Sequence, residues 1–478
     1  MLRQAAFVGR PFRRGKATSD SFASLSGKKA EPLPDRFRQL KLQLLTGNEE
    51  AVVAGWKRLL VALRCGNEEV MRRKSAIIPE VDFADLHNEL RMKAVDIKKR
   101  GVAVVRGVIP EDEARSYKFE IEEYVRRNPQ TRENPQVIEL YWSSPQLRAR
   151  THPSLLEVQK ALMNSLWTSN PDSPISLRTP LSYADRLRIR HPGDAQFALG
   201  PHQDGGSVER WEKNGYGRGG VYDAVFRGDW EKYDPFDASS RVHAVTDLYG
   251  GLGSCSMFRM WQGWLSMSHV GPSEGTLLVN PLLRESTAYA LLRPFFRPIK
   301  SIRELMSEEE YLDAENWELT AGDKMTSDLQ GATPGHGQEF PEGLHPHLQL
   351  GRTMVHAPRV KPGDYVLWHC DTIHSVDKKH NGVSDSSVLY IPICPTTEAS
   401  ATYVARQRDA FLQGTPAPDF PGGRGEADHV GRPTPEHVMN YGNPVGFQSM
   451  GLDALQIVDG DTRGGERAVK QANKVLGF

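Results

Sequence analysis

The sequence is poor in cysteine. Its 478 residues include four cysteines, which lie far apart and form no C-x-x-C pair: Cys65, Cys255, Cys370 and Cys394. This spacing excludes both a thiolate zinc site and a disulfide framework. It indicates a reducing compartment, and we expect a cytoplasmic protein.

Long apolar runs and an excess of one charge are also lacking. No stretch approaches the roughly 18 consecutive apolar residues that cross a bilayer, and 60 Lys and Arg residues balance 60 Asp and Glu residues. We therefore predict no membrane span. The balance excludes a role that depends on bulk attraction to nucleic acid or to an anionic membrane.

Residues 1–33 form a basic tail. Its first 19 residues carry five cations and no acid precedes Asp20, a bias that mitochondrial presequences share. Pro11 and Gly15 would interrupt a helix here, so we predict a disordered tail, with mitochondrial targeting as the alternative to a cytoplasmic location. The five cations before Asp20 are Arg3, Arg10, Arg13, Arg14 and Lys16.

Residues 34–100 are predicted to be helical. Apolar residues recur at helical spacing from Phe37 to Leu63, and a further helix is predicted from about Phe83 to Lys99. The run GVAVVRGVIP that follows is short, β-branched and bounded by glycine and proline, which is typical of a buried strand. A helix over 111–127 is predicted next, because the acidic residues of its first turn would lie near the positive N-terminal end of the helix dipole.

After Pro180 the apolar segments become short and alternating. This texture, together with 43 glycines and 32 prolines, indicates antiparallel strands in a barrel or a sandwich. We predict one β domain over 101–413 with two long insertions, 205–250 and 297–351. Loops of this length usually carry function or hidden elements, so we expect both to border the active-site mouth. The Pro/Gly-rich C-terminal extension covers 414–478 and is expected to be irregular up to about residue 443.

The segment GPHQDGG at residues 200–206 carries the most chemical information. On an extended chain, residues i and i+2 project to the same side, so His202 and Asp204 can direct an imidazole and a carboxylate at one ion. A third ligand must come from another strand. The segment WHCDTIHS offers His369 and His374.

We prefer His374. Residues 366–368 have the character of a strand interior and place His369 near the end of that strand, whereas His374 follows a four-residue turn that includes Asp371. Two imidazoles and one carboxylate on one face leave three coordination positions open, which is typical of non-haem Fe(II) oxygenases and not of closed structural zinc. The predicted metal ligands and catalytic residues are His202, Asp204 and His374.

This pattern resembles the double-stranded β-helix oxygenases that depend on Fe(II) and 2-oxoglutarate, and within them it is similar to the phytanoyl-CoA hydroxylase-like group. The whole chain more closely resembles the YbiU-like family. The resemblance implies an α+β protein with a double-stranded β-helix (jelly-roll, cupin-like) core and flanking N-terminal helices. The matching segments are residues 101–110 with the following helix, 201–204, 264–279 and 363–375.

The resemblance implies Fe(II) and 2-oxoglutarate as cofactors and dioxygen as a substrate. It places Trp264 where related hydroxylases have an aromatic residue beside the cosubstrate. It also implies an arginine ten to fourteen residues after the distal histidine that binds the far carboxylate of 2-oxoglutarate. Residues 384–388 read SDSSV and contain no cation, so we select Arg259 as the first candidate to replace it.

Three further arginines are alternatives, and Gln203 and Ser375 are candidates to orient the ligand imidazoles. The segment RLRIR alternates cations with apolar residues, which favours the apolar pair facing the core and the cations facing outward. The alternatives are Arg186, Arg188 and Arg190, separated by Leu187 and Ile189.

The predicted function is hydroxylation of a small molecule by an Fe(II)/2-oxoglutarate-dependent dioxygenase. One alternative is a cupin-like metal enzyme that does not use 2-oxoglutarate, which the missing arginine favours. The other is a non-catalytic jelly-roll binding protein. Balanced charge and the lack of a repeated aromatic-basic pattern predict no nucleic-acid partner, no membrane partner is predicted, and the sequence does not indicate an oligomeric state.

Overall fold

The computed structural model describes residues 32–131, 137–196, 199–251 and 255–478. The predicted basic tail lies almost entirely outside the described residues. Within them, no helix combines the length and apolar character that a bilayer span requires. The α-helices are α1 (Arg36–Leu45), α2 (Glu49–Arg73), α3 (Leu86–Arg100), α4 (Glu111–Arg127), α5 (Ser144–Thr151), α6 (Pro153–Leu166), α7 (Asp223–Phe226), α8 (Ala238–Arg241), α9 (Leu283–Leu292), α10 (Glu308–Leu312), α11 (Leu350–Thr353), α12 (Glu398–Gln413), α13 (Pro435–Asn440), α14 (Pro444–Ser449) and α15 (Arg463–Leu476).

The strands form two large sheets and two small ones. They are β1 (Glu80–Asp82), β2 (Val102–Arg106), β3 (Ser176–Leu181), β4 (Leu187–Arg190), β5 (His202–Gln203), β6 (Trp261–Ser266), β7 (Leu277–Val279), β8 (Phe296–Pro298), β9 (Trp317–Leu319), β10 (Gln338–Glu339), β11 (Val355–His356), β12 (Tyr365–His369), β13 (His374–Val376), β14 (Ser386–Tyr390) and β15 (Cys394–Thr396). The six-stranded sheet has the order β1-β2-β12-β6-β14-β4, and the five-stranded sheet has the order β10-β5-β13-β7-β11. The predicted α+β class is confirmed, with separate sheets and no closed barrel among the described strands.

The two large sheets face each other across an apolar interior. Along β12, Leu367 packs into a cluster with helices α3, α4 and α6, whereas Val366 and Trp368 on the other face belong to a different cluster. Leu277 and Val279 of the five-stranded sheet lie in that second cluster. Alternate residues of one strand therefore face helices and the second sheet, as the two-residue period of a strand requires.

The N-terminal elements lie where the sequence predicts them. Helices α1 to α4 and strand β2 match the predicted segments, and Trp56 of α2 stacks on Phe296, which lies just before the second insertion, with ring centroids 4.3 Å apart. Strand β1, which pairs parallel with β2, was not predicted. Its three residues are too short to show a periodicity.

Both long insertions contain hidden elements. The first carries the short helices α7 and α8. The second carries β9, α10 and β10, and β10 pairs antiparallel with β5, so that Glu339 lies opposite His202. The second insertion thus supplies the edge strand beside the H-x-D segment.

The C-terminal extension is packed against the β domain. Residues 414–443 are irregular apart from α13, as predicted, but α15 ends the chain as a helix whose Val469, Ala472 and Leu476 pack with Leu181 of β3. The extension is therefore part of the folded body and not a loose tail.

Glu426 fixes this extension to the helical layer through a buried carboxylate. Its Oε1 accepts hydrogen bonds from the backbone N–H groups of Tyr141 at 2.6 Å and Trp142 at 2.9 Å. Burial raises the pKa of Glu426 to about 7, although the two N–H groups and the charges of Arg150 and Arg432 oppose the shift. The native protein therefore retains a proton here that the unfolded chain, with an ordinary glutamate pKa, has already released.

Stability is expected to fall as the pH rises from about 4.5 to 7, because in this window the native state binds more protons at Glu426 than the unfolded state does. The contribution reaches at most about 1.4 kcal/mol per pH unit. Glu426→Gln should flatten this part of the curve when the urea midpoint is measured against pH. Glu436→Gln on the exposed side of α13 is the control, and equal curves for Glu426→Gln and the wild type would contradict the prediction.

Candidate functional site

His202 and His374 meet on neighbouring strands. They begin β5 and β13 and are direct partners in the antiparallel register. Asp204 follows β5 at a turn made by Gly205 and Gly206, which have φ values of 82° and 79°. A Cβ at Gly206 would lie 2.5 Å from a backbone oxygen, so only glycine fits this turn. The turn directs the Asp204 carboxylate back toward the two imidazoles.

The three side chains converge. Nε2 of His202 lies 3.7 Å from Oδ1 of Asp204, and Nε2 of His374 lies 3.4 Å from Oδ2. The imidazole centroids are 4.2 Å apart, and one ligand atom from each residue lies within 4.8 Å of the others. One ion with bonds of about 2.0–2.2 Å to nitrogen and oxygen could contact all three.

Backbone carbonyls orient the imidazoles. Nδ1 of His202 lies 2.8 Å from the Gly200 carbonyl oxygen, and Nδ1 of His374 lies 3.0 Å from that of Thr372. Because a carbonyl can only accept, each Nδ1 carries the proton and donates it, which leaves the Nε2 lone pairs directed at Asp204. The expectation that Gln203 and Ser375 orient the rings was wrong, since neither of these hydrogen bonds involves them.

The charge states also suit a metal. Burial and the neighbouring His374 together lower the pKa of His202 to about 4, so the His202 imidazole is neutral at pH 7. Burial by itself would raise the pKa of Asp204, but His374 and His202 lower it overall. Neutral imidazoles and an ionised carboxylate are the forms that bind a metal.

His369 lies in a second group of potential ligands, with Cys370 and Asp371. Both of its nitrogens are engaged, because Nε2 donates to the Pro235 carbonyl at 2.9 Å and Nδ1 accepts from the Asp371 N–H at 3.0 Å. Burial raises the pKa of Cys370 to about 11, which keeps its thiol protonated. The structure therefore brings His374, and not His369, to His202 and Asp204.

Asp371 anchors the first insertion. Its fully buried carboxylate accepts hydrogen bonds from Arg210 at 2.6 Å, Tyr222 at 3.0 Å and Tyr233 at 2.8 Å, and it forms a short ion pair with Arg241. Burial opposes ionisation, but Arg241 and Arg210 lower the pKa of Asp371 overall. Asp371 lies in the predicted turn, but the sequence did not indicate the buried network that its carboxylate forms.

The same network reaches the candidate metal ligands. Arg210 Nη2 donates to the backbone carbonyl of Asp204 at 2.7 Å, and Gln203 Nε2 donates to the Asp371 carbonyl. The turn after β12 and the H-x-D turn are therefore tied together through one buried charge. No sequence signal indicated Arg210, because its partner lies 161 residues away.

A cavity of about 350 Å³ adjoins the three residues. Both insertions border it, through Gly205 of the first and His336 of the second, as predicted. Trp264 lines it from β6 and is nearly buried, whereas Trp261 on the opposite face packs with the helices, as the strand alternation predicts. The sequence did not indicate Phe420, which the C-terminal extension contributes to the wall.

The arginines of the RLRIR segment face the interior, and the outward orientation expected from the sequence was wrong. Arg188 lies opposite Val388 in the register, and both line the cavity, whereas Leu187 packs with the helices. Arg190 is committed to Asp194, with Nε 3.0 Å from Oδ2. Helices cover the other face of this sheet, so that face is apolar and the polar side chains line the cavity.

Arg188 and Arg259 lie at opposite ends of β6. Arg259 precedes the strand at its Trp261 end, while Ser266 at the other end pairs with Val388, the partner of Arg188. Six strand residues span about 17 Å. His374 is nearer the Arg259 end, because its ring lies 5.3 Å from that of Trp368, which pairs with Gln262 near the start of β6.

The family model, the curated relative and the solved structures that this chain matches each cover most of its length. The model of the Gig2-like family matches residues 31–452. YbiU of Escherichia coli K12 is 30% identical over 397 residues, covering 79% of this chain and 86% of YbiU. The crystal structure of GlcNAc Inducible Gene 2, GIG2, from Candida albicans has 32% identity and a TM-score of 0.82, covering 94% of this chain and 97% of that one. A hypothetical Escherichia coli protein, JW0805, has 29% identity and a TM-score of 0.72, covering 88% and 99%. The match over most of the chain shows that this protein belongs to the Gig2-like family.

Proposed function

We propose that this protein is an Fe(II)- and 2-oxoglutarate-dependent oxygenase that hydroxylates a small molecule. The observation that carries the proposal is the convergence of His202 Nε2, His374 Nε2 and the Asp204 carboxylate at the wall of a cavity. Two imidazole nitrogens and one carboxylate oxygen fit Fe(II), and their position on one side leaves coordination positions open toward the cavity.

The order of the strands supports a double-stranded β-helix core within residues 101–413. Strands β4, β6, β12 and β14 lie in the six-stranded sheet, and β5, β7, β11 and β13 lie in the five-stranded one. Successive strands in β4 to β7 and in β11 to β14 thus alternate between facing sheets, as in a jelly roll. On this proposal, residues 34–100 and 414–478 flank the core, and the protein is a distant relative of the phytanoyl-CoA hydroxylase-like enzymes.

The reaction would consume the substrate, 2-oxoglutarate and O2 and yield hydroxylated substrate, succinate and CO2. One oxygen atom enters succinate and the other enters the C–H bond, so that the atoms balance. When bound, Fe(II) would supply the activation of dioxygen. His202, Asp204 and His374 would hold the ion, and Trp264 and Val388 would exclude water from the reacting groups.

Arg188 is better placed than Arg259 to bind the far carboxylate of 2-oxoglutarate. Related oxygenases carry that arginine ten to fourteen residues after the distal histidine, which here corresponds to β14, where Ser386 and Val388 line the cavity. Arg188 faces Val388 from the neighbouring strand, so its guanidinium enters the same region. It is 7% exposed and lies at the end of β6 away from His374, where the far end of a cosubstrate bound to the ion would reach.

The test is succinate formation by Fe(II)-loaded protein supplied with 2-oxoglutarate and oxygen. Arg188→Gln is expected to raise the KM for 2-oxoglutarate by about 10- to 100-fold, because a charge-assisted bond is worth about 1.5–3 kcal/mol. Arg186→Gln, two residues away and already paired with Asp185 at 3.3 Å, is the matched control. A higher KM for 2-oxoglutarate in Arg259→Gln, with an unchanged KM in Arg188→Gln, would reverse the assignment of the two arginines.

A cupin-like metal enzyme that does not use 2-oxoglutarate is the second candidate. The absence of a cation from residues 384–388 favours it. Stoichiometric metal binding without succinate formation would support this alternative, and a chain that binds no metal would support a non-catalytic binding protein.

A further inference from the structure

We infer that the primary substrate is a small organic oxyanion, a carboxylate or a phosphate ester, whose charged group binds Arg259 at the mouth of the cavity. This inference rests on the proposed function and adds the class of substrate to it. It also gives Arg259 a different role from Arg188, because the two arginines flank the metal ligands from opposite ends of β6.

The Arg259 guanidinium faces the cavity without an acidic partner. Within the described part of the chain, no carboxylate forms an ion pair with Arg259, and the guanidinium carbon lies over the Tyr183 ring, 5.9 Å from its centroid. Arg186, also on the cavity wall, differs because it is paired with Asp185. An unpaired guanidinium in a cleft attracts anions and can bind an oxyanion through two parallel hydrogen bonds.

Titratable neighbours do not neutralise this cation. Burial raises the pKa of Cys255 to about 11 and raises the pKa of Tyr183 well above its ordinary value, so both groups are neutral at pH 7. Asp419 is engaged elsewhere, since it accepts from the Tyr183 hydroxyl at 2.9 Å and the Ser256 hydroxyl at 2.6 Å. The charge of Arg259 contributes to the lowered pKa of Asp204, but the Asp204 carboxylate would bind the proposed ion and would not pair with Arg259.

The summed charges of the cavity lining also favour an anionic substrate. Its described lining carries three arginines and two aspartates. A doubly charged cation and a doubly charged 2-oxoglutarate would cancel each other, which leaves one positive charge in excess. A substrate with one negative charge, such as a carboxylate, would therefore neutralise the loaded cavity. Arg259 lies on the open side, because this residue is partly exposed while Arg188 is buried.

The wall beside Arg259 is aromatic. Tyr183 and Phe420 pack edge to face with centroids 6.3 Å apart, and Tyr390 lines the same cavity. The bond from Tyr183 to Asp419 ties the C-terminal segment to this wall. The surface suits an apolar or ring-bearing body attached to the oxyanion.

The probes are benzoate, phenyl phosphate and the neutral isostere benzamide, titrated calorimetrically under argon. Full-length protein is used with Fe(II) and 2-oxoglutarate, and again with neither. Binding of benzoate or phenyl phosphate at least about tenfold tighter than benzamide is expected, and the stronger of the two anions identifies the oxyanion. Arg259→Gln should weaken the anion by at least about tenfold, and Arg259→Lys, which keeps the charge but not the planar fork, should fall in between.

Several outcomes would overturn the inference. Wild-type protein that binds benzamide as well as both anions, or that binds none of them at millimolar concentration, has no oxyanion site at the mouth, and this measurement needs no variant to fold. If Arg188→Gln abolished anion binding while Arg259→Gln kept it, the anion would bind at the Arg188 end of the cavity and not at Arg259. The proposed function fails separately, through the absence of succinate formation, whatever the probes show.

Discussion

Asp204→Ala is expected to reduce the affinity for Fe(II) by more than about 100-fold while the chain stays folded. Loss of a residue that only orients a ligand typically costs 10- to 100-fold, and here a ligand itself is removed. The Asp204 side chain is 38% exposed, so its loss leaves no packing defect. Anaerobic equilibrium dialysis with Fe(II), alongside a circular dichroism spectrum, measures both expectations.

Asp185→Asn is the matched control, because Asp185 also lines the cavity but lies outside the converging group. It should bind Fe(II) as the wild type does. His374→Ala should lose the ion as Asp204→Ala does. Iron binding that survives both Asp204→Ala and His374→Ala would show that these residues do not form the site, and the proposed function would fall with it.

Asp371→Ala is expected to destabilise the protein by about 3–5 kcal/mol. The substitution leaves Arg210 and Arg241 as buried cations without their counter-ion, and breaking a buried pair from one side costs about this much. The two guanidiniums are only 2% and 3% exposed, so water cannot replace the carboxylate. The urea midpoint, followed by tryptophan fluorescence, is the measurement.

Glu315→Ala is the control for a surface ion pair. Its carboxylate lies 2.6 Å from Lys57 Nζ, but the side chains of Glu315 and Lys57 are 77% and 44% exposed, so the loss of this carboxylate should cost less than about 1 kcal/mol. Because Arg210 also holds the Asp204 carbonyl, Asp371→Ala should weaken Fe(II) binding under conditions in which it remains folded. A loss no larger than that of Glu315→Ala would mean that Asp371 does not anchor the first insertion.

Local patterns in the sequence were sufficient to predict that His202, Asp204 and His374 lie close together. The two-residue strand period sets His202 and Asp204 on one side of the chain, and the boundary between β12 and the next turn separates His369 from His374. The turn matters because it moves the chain from one large sheet to the other. His369 then stays beside Phe236, with ring centroids 4.9 Å apart, and His374 joins His202.

The orientation of β4 could not be read from its own residues. An alternating strand has two faces, and the sequence does not state which one helices cover. The rule that apolar residues face the core predicted that Arg188 faces outward. Here both faces of β4 are buried, and helices α4 and α6 pack against the face that carries Leu187. The cavity between the sheets then receives the arginine.

The sequence by itself determined the helical N-terminal region, the alternating β texture after Pro180 and the residue types of the candidate metal site, because each depends on near neighbours along the chain. Only the tertiary structure decided that Asp371 binds Arg210 and Arg241, that Phe420 reaches the cavity, and that Arg188 and Arg259 stand at opposite ends of β6. These are pairings between residues far apart in sequence. They are fixed by how two sheets and two insertions close around one interior, and no local periodicity encodes that arrangement.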